Sequence, residues 1–379
     1  MEVLSNPKIL KEIRKYGKFD VKGCYNCGTC TVMCNISKEF APFPRRPFQY
    51  ALLGLKQNLL GSLEAFLCHD CGDCSIACPR EAEPRLSMAT LRRYLVSKYD
   101  ITRIASKILS SKLIGILSYF VVFFLSLLLI FLYHNLKVGL SPSDFFSTSM
   151  PVEHTLPEGG FRILYGYALF IILFPILILL IGVIRMAYFS FKGEKIPFYY
   201  SIVALYELIV NLFTQKEMIK CKRNENKIRY IFHLGMAIGC LLMLIIVLFL
   251  LRWKIYTNLT QRILGYVSTA LMLFGSLYVI IERIRKKGGE IYKESEWQDF
   301  PLPILIFLIS LSGILVHIFR NLNLEMLSHY TNAFHVAFVT SFLLIELPFG
   351  KFSHLIYRPF ALYFYKIKEI YYKKMEVKS

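Results

Sequence analysis

Apolar and polar positions follow two different rhythms along this chain. Up to about residue 107, apolar residues recur at helical spacing among many charges. Residues 1–23 carry Lys8, Lys11, Arg14, Lys15 and Lys18 and predict a short leading helix. Phe48 to Leu67 repeats Leu52, Leu53, Leu55, Leu59, Leu60 and Leu63 at helical intervals, and Pro84 to Tyr99 does the same with Leu86, Met88, Leu91 and Leu95. From Lys112 onward the charges withdraw into loops. Six apolar runs follow, at about 113–133, 161–188, 230–251, 263–282, 301–319 and 329–349. Each is long enough for the roughly 20 residues a helix needs to cross a bilayer. The pattern predicts an all-α chain, with a helical module over 1–107 and a six-span transmembrane bundle over 108–379. The stretch Pro197 to Phe213 is shorter, and both its flanks fall on one side. It predicts a helix lying on the inner membrane surface, not a seventh span.

Composition supports the membrane reading. Of the 379 residues 55% are hydrophobic, and the mean hydropathy of +0.47 is too apolar for a soluble chain of this length. The formal charge of +19 could suggest nucleic acid. The basic residues form no single face, however; they sit between apolar runs, so no nucleic-acid partner is expected. Lys192, Lys195, Lys216, Lys220, Lys222, Arg223, Lys227 and Arg229 crowd between runs two and three, and Arg283, Arg285, Lys286 and Lys287 between runs four and five. The positive-inside rule then places both termini and the N-terminal module in the cytoplasm of a multi-pass cell-membrane protein. Arg252, Lys254 and Arg262, after run three, run against that orientation without reversing it.

Eight of the ten cysteines carry the chemistry. Cys24-Tyr-Asn-Cys27-Gly-Thr-Cys30-Thr-Val-Met-Cys34 and Cys68-His-Asp-Cys71-Gly-Asp-Cys74-Ser-Ile-Ala-Cys78-Pro79 share the spacing C-x2-C-x2-C-x3-C. Three thiolates two residues apart wrap three corners of a cubane, and the fourth, a helical turn further on, serves the neighbouring cluster. Two [4Fe–4S] clusters follow, one on Cys24, Cys27, Cys30 and Cys78, the other on Cys68, Cys71, Cys74 and Cys34. Disulfides would need an oxidising compartment, and no signal peptide is read before Cys24. Zinc ribbons use paired Cys-x2-Cys motifs without the extra cysteine. Cys221 and Cys240 are left over and are expected to be unreactive. The module is therefore a helical two-cluster ferredoxin domain, held together largely by its metal.

Electrons that reach such clusters need a route into the membrane, and histidines near the ends of the spans are the candidates. His233 and His354 lie at the cytoplasmic level, His317 and His335 at the outer level. A six-coordinate b-type haem takes an axial imidazole on each face, so one or two haems fit, about 28 Å of helix separating His335 from His354. A single interfacial histidine is more often only a polar residue at headgroup depth; depth-matched pairs favour ligation. His329 can substitute for His317, and His69, His134 and His154 are read as non-ligands. A straight helix would turn His335 and His354 to different faces, so Pro348 and Gly350 must bend or break it.

With these residues in view, the N-terminal part resembles the iron–sulfur C subunits of heterodisulfide reductases, which carry the same double quartet. The membrane part resembles the haem b subunits of the nitrate reductase gamma type, on the segment Phe349-Gly-Lys-Phe-Ser-His354. The fusion is similar to the C subunits of quinone-interacting membrane-bound oxidoreductase complexes, with Arg229-Tyr-Ile-Phe-His233, Leu212-Phe-Thr-Gln-Lys and Cys221. Two departures are Asn35, where ferredoxins often have proline, and Met243, where the gamma-type pattern has a second histidine on one helix.

The resemblance implies a membrane electron-transfer subunit. It would exchange electrons between menaquinone and soluble flavin/iron–sulfur subunits of the same complex, which in sulfate reducers serve adenylylsulfate reductase. Glu346, Lys351, Tyr357 and Arg358 are then candidate quinone-site residues; Glu346 lies in an otherwise apolar run, where an acid is costly, or simply reaches Lys351. The alternatives are a non-haem iron–sulfur anchor, or the equivalent subunit of a heterodisulfide- or sulfite-reducing complex. No nucleophile–base set or phosphate-binding glycine loop is present, so the chain alone is not expected to transform a soluble substrate.

Overall fold

The computed structural model describes residues 5–21, 23–138, 158–221, 224–246, 259–287 and 289–376. Among them there is no strand, only an isolated bridge between Lys38 and Ala41. The N-terminal module is a set of short helices, closed by α1 (Pro84–Tyr99), which starts on a proline at its first turn. The leucine-rich stretch from Phe48 breaks into three pieces, Arg45–Leu52, Lys56–Leu60 and Glu64–Leu67. Gly54 causes the first break, since its positive φ of 73° ends the helix. The leading helix is likewise only Ile9–Ile13, continued by a tight 3-10 turn.

Six helices are long and apolar enough to cross a membrane. They are α2 (Lys112–Val138), α3 (Glu158–Phe191), α5 (Asn224–Ile245), α6 (Leu259–Arg285), α7 (Pro301–Asn321) and the last, α8 (Glu325–Ser341), which runs on through a π turn over Phe342–Glu346 to Phe349. Helix α5 packs on α6, α6 on α7, α7 on α8 and α8 on α2. Leu117, Phe120, Phe124 and Leu128 of α2 remain exposed, an apolar face that suits lipid and not water. Small residues let α5 and α6 approach closely: a Cβ on Gly239 would come within 2.8 Å of the Ser268 carbonyl, and one on Gly275 within 3.1 Å of the Phe232 carbonyl. The short apolar helix α4 (Tyr199–Thr214) packs along α9 (His354–Glu376). His134 and His154, and the basic pair Arg252 and Lys254, fall where side chains are not described.

One continuous core joins the two halves. Ile9, Phe48, Leu59, Phe66, Leu91 and Tyr99 of the module share it with Ile178, Val183 and Met186 of α3 and with Tyr357 and Ala361 of α9. Phe66, Tyr99 and Tyr357 form an aromatic triangle with ring centres 5.5–6.0 Å apart. The module thus sits directly on the ends of α3, α8 and α9.

The break that follows α8 sets the geometry below it. Helix α8 carries a π turn, stops at Phe349, passes Gly350 in extended geometry, and turns through Lys351–Ser353 before α9 begins at His354. The Glu346 carboxylate folds over Gly350 and accepts the Phe352 N–H at 3.1 Å and the Tyr119 hydroxyl at 2.5 Å. A Cβ at residue 350 would collide with that carboxylate. Gly350→Ala is therefore expected to cost roughly 1–3 kcal/mol, as overpacking does, read as a lower unfolding midpoint in detergent. An unchanged midpoint would show that Glu346 moves aside freely.

Candidate electron-transfer site

The two cysteine loops are built alike. Asn26 and Asp70 both take positive φ, 57° and 60°, and Gly28 and Gly72 follow at 87° and 91°. Each loop then enters a four-residue helix, Thr29–Val32 or Asp73–Ile76. The Asn26 N–H points to the Cys24 sulfur and the Asp70 N–H to the Cys68 sulfur, each at 3.4 Å. Glycine after the second cysteine is required because a left-handed turn brings the backbone close to the sulfurs.

The fourth cysteine of each run lies with the other run. Cys24, Cys27, Cys30 and Cys78 line one pocket, together with Arg45, Phe48 and Arg80. Around Cys74, burial and then the thiols of Cys68, Cys71 and Cys34 push the sulfur well above its usual pKa. Such a group ionises readily only when a cation or cluster takes up the charge. The first group is open, with Cys27 exposed, whereas Cys68 and Cys74 are buried. Cys221, read from the sequence as an unreactive leftover, is buried against Cys71, and hydrogen bonding to it, ahead of burial, raises the Cys71 thiol.

Three arginines hold the buried loop. Arg92 of α1 donates to the Cys68 carbonyl at 2.7 Å and to Ala65 at 2.9 Å. Arg358 of α9 donates to Cys68 at 2.9 Å and Phe66 at 3.1 Å. Arg229 of α5 donates to His69 at 2.5 Å and Asp70 at 3.1 Å. Burial, then Arg92, lowers the Arg358 guanidinium to about 9. A buried guanidinium is costly unless something negative lies nearby, and a thiolate-held cluster supplies that charge.

Arg229 stands one helical turn before His233, and Arg358 one turn after His354. The same faces of α5 and α9 that grip the loop therefore present the two imidazoles. The His233 and His354 ring centres lie 6.0 Å apart, with the planes tilted by 51°. Metal–nitrogen bonds of about 2 Å on either side of one ion place two imidazole centres roughly 6 Å apart. The His354 Nδ1 sits 2.5 Å from the Lys351 carbonyl, leaving Nε2 for another partner, while His233 Nδ1 is buried with no partner. Burial, followed by Arg358 and His233, holds the His354 imidazole well below its usual pKa and hence neutral, the state that ligates a metal.

The outer histidines have separate partners. Nδ1 of His335 faces the Ser312 hydroxyl at 3.0 Å, above Gly313. Nδ1 of His317 lies 2.6 Å from the Tyr266 hydroxyl and 3.1 Å from the Asn321 amide.

The four residues singled out for quinone each make contacts of their own. Lys351 donates to Asp299 at 2.6 Å, and burial lowers its ammonium to about 8. With His354, Asp70, Arg92, Gln298 and Asp299 it lines a small solvent-open pocket. Gln298 Oε1 is buried there without a partner. Glu346 accepts the Tyr119 hydroxyl and the Phe352 N–H in the turn over Gly350, while the Lys351 ammonium pairs with Asp299. Arg358 belongs to the loop clamp, and Tyr357 to the aromatic triangle.

Comparison with known proteins addresses the module alone. Residues 20–82 match the family described as the 4Fe-4S dicluster domain, which supports [4Fe–4S] clusters here. The chain is 31% identical over 101 residues to the second iron–sulfur C subunit of the CoB--CoM heterodisulfide reductase of Methanocaldococcus jannaschii, covering 24% of this chain and 54% of that protein. It is 31% identical over 83 residues to the C2 component of the H(2)/formate:CoB-CoM heterodisulfide,ferredoxin reductase of Methanococcus maripaludis, 22% of this chain and 45% of that one. An Archaeoglobus profundus protein, described as like the C subunits of heterodisulfide reductase, is 27% identical over 99 residues, 26% of this chain and 53% of that protein. The chain spans about half the length of the curated relatives it matches. No solved structure matches it. The N-terminal region is thus related to the iron–sulfur C subunits of heterodisulfide reductases, and it is joined here to six membrane-length helices.

Proposed function

We propose that this chain is the membrane subunit of a quinone-linked electron-transfer complex, passing electrons between a quinone in the lipid and soluble redox subunits. The observation that carries this reading is the 6.0 Å pairing of His233 with His354 beneath the arginine-held Cys68 loop. In it, Cys24, Cys27, Cys30 and Cys78 hold an outward [4Fe–4S] cluster, and Cys34, Cys68, Cys71 and Cys74 hold an inward one. His233 and His354 hold a b-type haem, which when bound passes single electrons. Lys351 fixes the His354 ring through its carbonyl, and Glu346 fixes that turn. Menaquinone would meet Lys351 and His354 from the pocket they share, where Asp299 keeps the ammonium in place. His317 and His335 keep other partners, so the reading rests on the inner pair.

Tyr25, Val32, Met33 and Ile76 are exposed apolar side chains around the first cysteine group, and Cys27 is exposed among them. That surface suits docking of a soluble flavin/iron–sulfur subunit. Together with the basic inner loops, it favours a cytoplasmic module on the cell membrane. By resemblance, the complex is of the sulfate-respiration type.

A reduced-minus-oxidised visible spectrum of the purified full chain is expected to show low-spin b-type bands. His233→Ala and His354→Ala should each remove the inner haem while the iron–sulfur EPR signals persist. A haem-free wild-type protein that retains its clusters would leave only an iron–sulfur anchor.

Cys34→Ser separates the two cluster assignments. It is expected to remove or alter the buried cluster, halving the roughly eight irons that two cubanes contribute, and to spare the exposed one. Loss of the exposed cluster instead would overturn the crossed assignment.

The arginine clamp yields a third expectation. Guanidinium charge stabilises the more negative, reduced cluster, so Arg229→Gln should lower the midpoint of one cluster by on the order of 60 mV, equivalent to about 1.4 kcal/mol for one electron. The other cluster should not move in the same EPR titration. Equal shifts in both would show that the effect is not local to the Cys68 loop.

A further inference from the structure

His69 lies inside the second cysteine loop, where the sequence marks it as a non-ligand. The structure gives it an unexpected position. Its side chain is 5% exposed, and both ring nitrogens are buried with no hydrogen-bond partner. An imidazole must carry a proton on at least one nitrogen, so a buried donor is left unmade, at a desolvation cost typical of orphaned polar groups. The loop around this residue is held from two helices. Arg229, one turn from His233, binds its carbonyl, and Arg358, one turn from His354, binds the carbonyl just before it. The loop that carries His69 is therefore bound from the same two helix faces that present the imidazole pair.

Three features identify the missing partner. The unpaired group offers an N–H, so the partner is an acceptor. The guanidinium groups of Arg92, Arg229 and Arg358 bind the carbonyls of Cys68 and His69, so an anion is favoured over a neutral oxygen. Its loop is tied to the two helices that present the His233–His354 pair. We propose that His69 donates a hydrogen bond to a carboxylate side arm of the haem held by His233 and His354, and so ties that edge of the porphyrin to the residue next to Cys68. This rests on the haem reading above. His69 is a positioning and tuning residue in it, the link from the macrocycle edge towards the cluster.

The test uses the full chain in detergent, with His69→Phe and His69→Gln. Haem content, the haem midpoint by optical titration and the cluster EPR signals are measured for each. Donation to the carboxylate offsets its negative charge near the iron and so favours the reduced state. His69→Phe should therefore lower the haem midpoint by a roughly tenfold change in the reduction equilibrium, 59 mV for one electron. His69→Gln keeps an N–H donor and should recover most of the shift. Both clusters should remain. An unchanged midpoint in both variants overturns the inference while leaving the haem reading intact; absence of b-type bands in the wild type sinks that reading instead. An unchanged midpoint with weakened binding of a menaquinone analogue would put quinone against His69 and also overturn the proposal. Haem lost from both His69 variants but kept in His354→Ala would make His69 an axial ligand, contrary to the role assigned here.

Discussion

A cluster loop that is pressed against a membrane domain buries backbone carbonyls that have no helix to satisfy them. Each needs a donor, because an unpaired buried carbonyl costs about as much as a lost hydrogen bond. Arg92, Arg229 and Arg358 meet that need together for Ala65, Phe66, Cys68, His69 and Asp70. The rest of the site depends on this arrangement. It fixes the inward loop to α5 and α9 at the level where those helices carry His233 and His354. It also places positive charge where sulfur-held iron puts negative charge. A hydrophobic contact of equal area would seat the module but would fix neither register nor charge.

The arrangement explains why the chain breaks between α8 and α9. A continuous helix would carry the residues after Glu346 on into solvent and turn the 354 position away from α5. The π turn, the stop at Phe349 and the extended Gly350 reverse that, and the Glu346 carboxylate occupies the gap the missing side chain leaves. An acid in an apolar span is costly unless it is satisfied. Here it accepts both the Tyr119 hydroxyl and the Phe352 N–H. Glu346 therefore has a structural explanation before a quinone one.

How much of this is legible in the sequence follows from which signals are local. The apolar runs are local, so the six membrane-length helices and the shorter apolar helix Tyr199–Thr214 stand close to where periodicity puts them. The break demanded by Pro348 and Gly350 is local too. The leucine stretch after Phe48 is less legible, because leucine spacing marks a helical face but cannot show that Gly54 ends the helix. The pairing of His233 with His354 can be inferred from depth alone. The separate partners of His317 and His335 cannot, since Tyr266, Ser312 and Asn321 lie on helices whose rotation only packing decides.

The arginines show where reading by residue type fails. Arg229 counts among the basic residues that orient the bundle, and Arg358 among candidates for quinone; Arg229 is buried, Arg358 partly so, and both donate to one loop. An arginine at the cytoplasmic end of a span satisfies the positive-inside pattern whether it points to lipid headgroups or into the protein, so the charge count cannot separate the two. The i,i+4 relation can. Arg229 with His233, and His354 with Arg358, each put a guanidinium and an imidazole on a single helix face. A helix facing solvent gains nothing from that repetition. Two helices facing each other across a buried loop do, because the imidazoles converge only if the arginines converge one turn below. The same reasoning brings His69 into the group: the loop these arginines grip is the one whose second residue is an imidazole with no other partner.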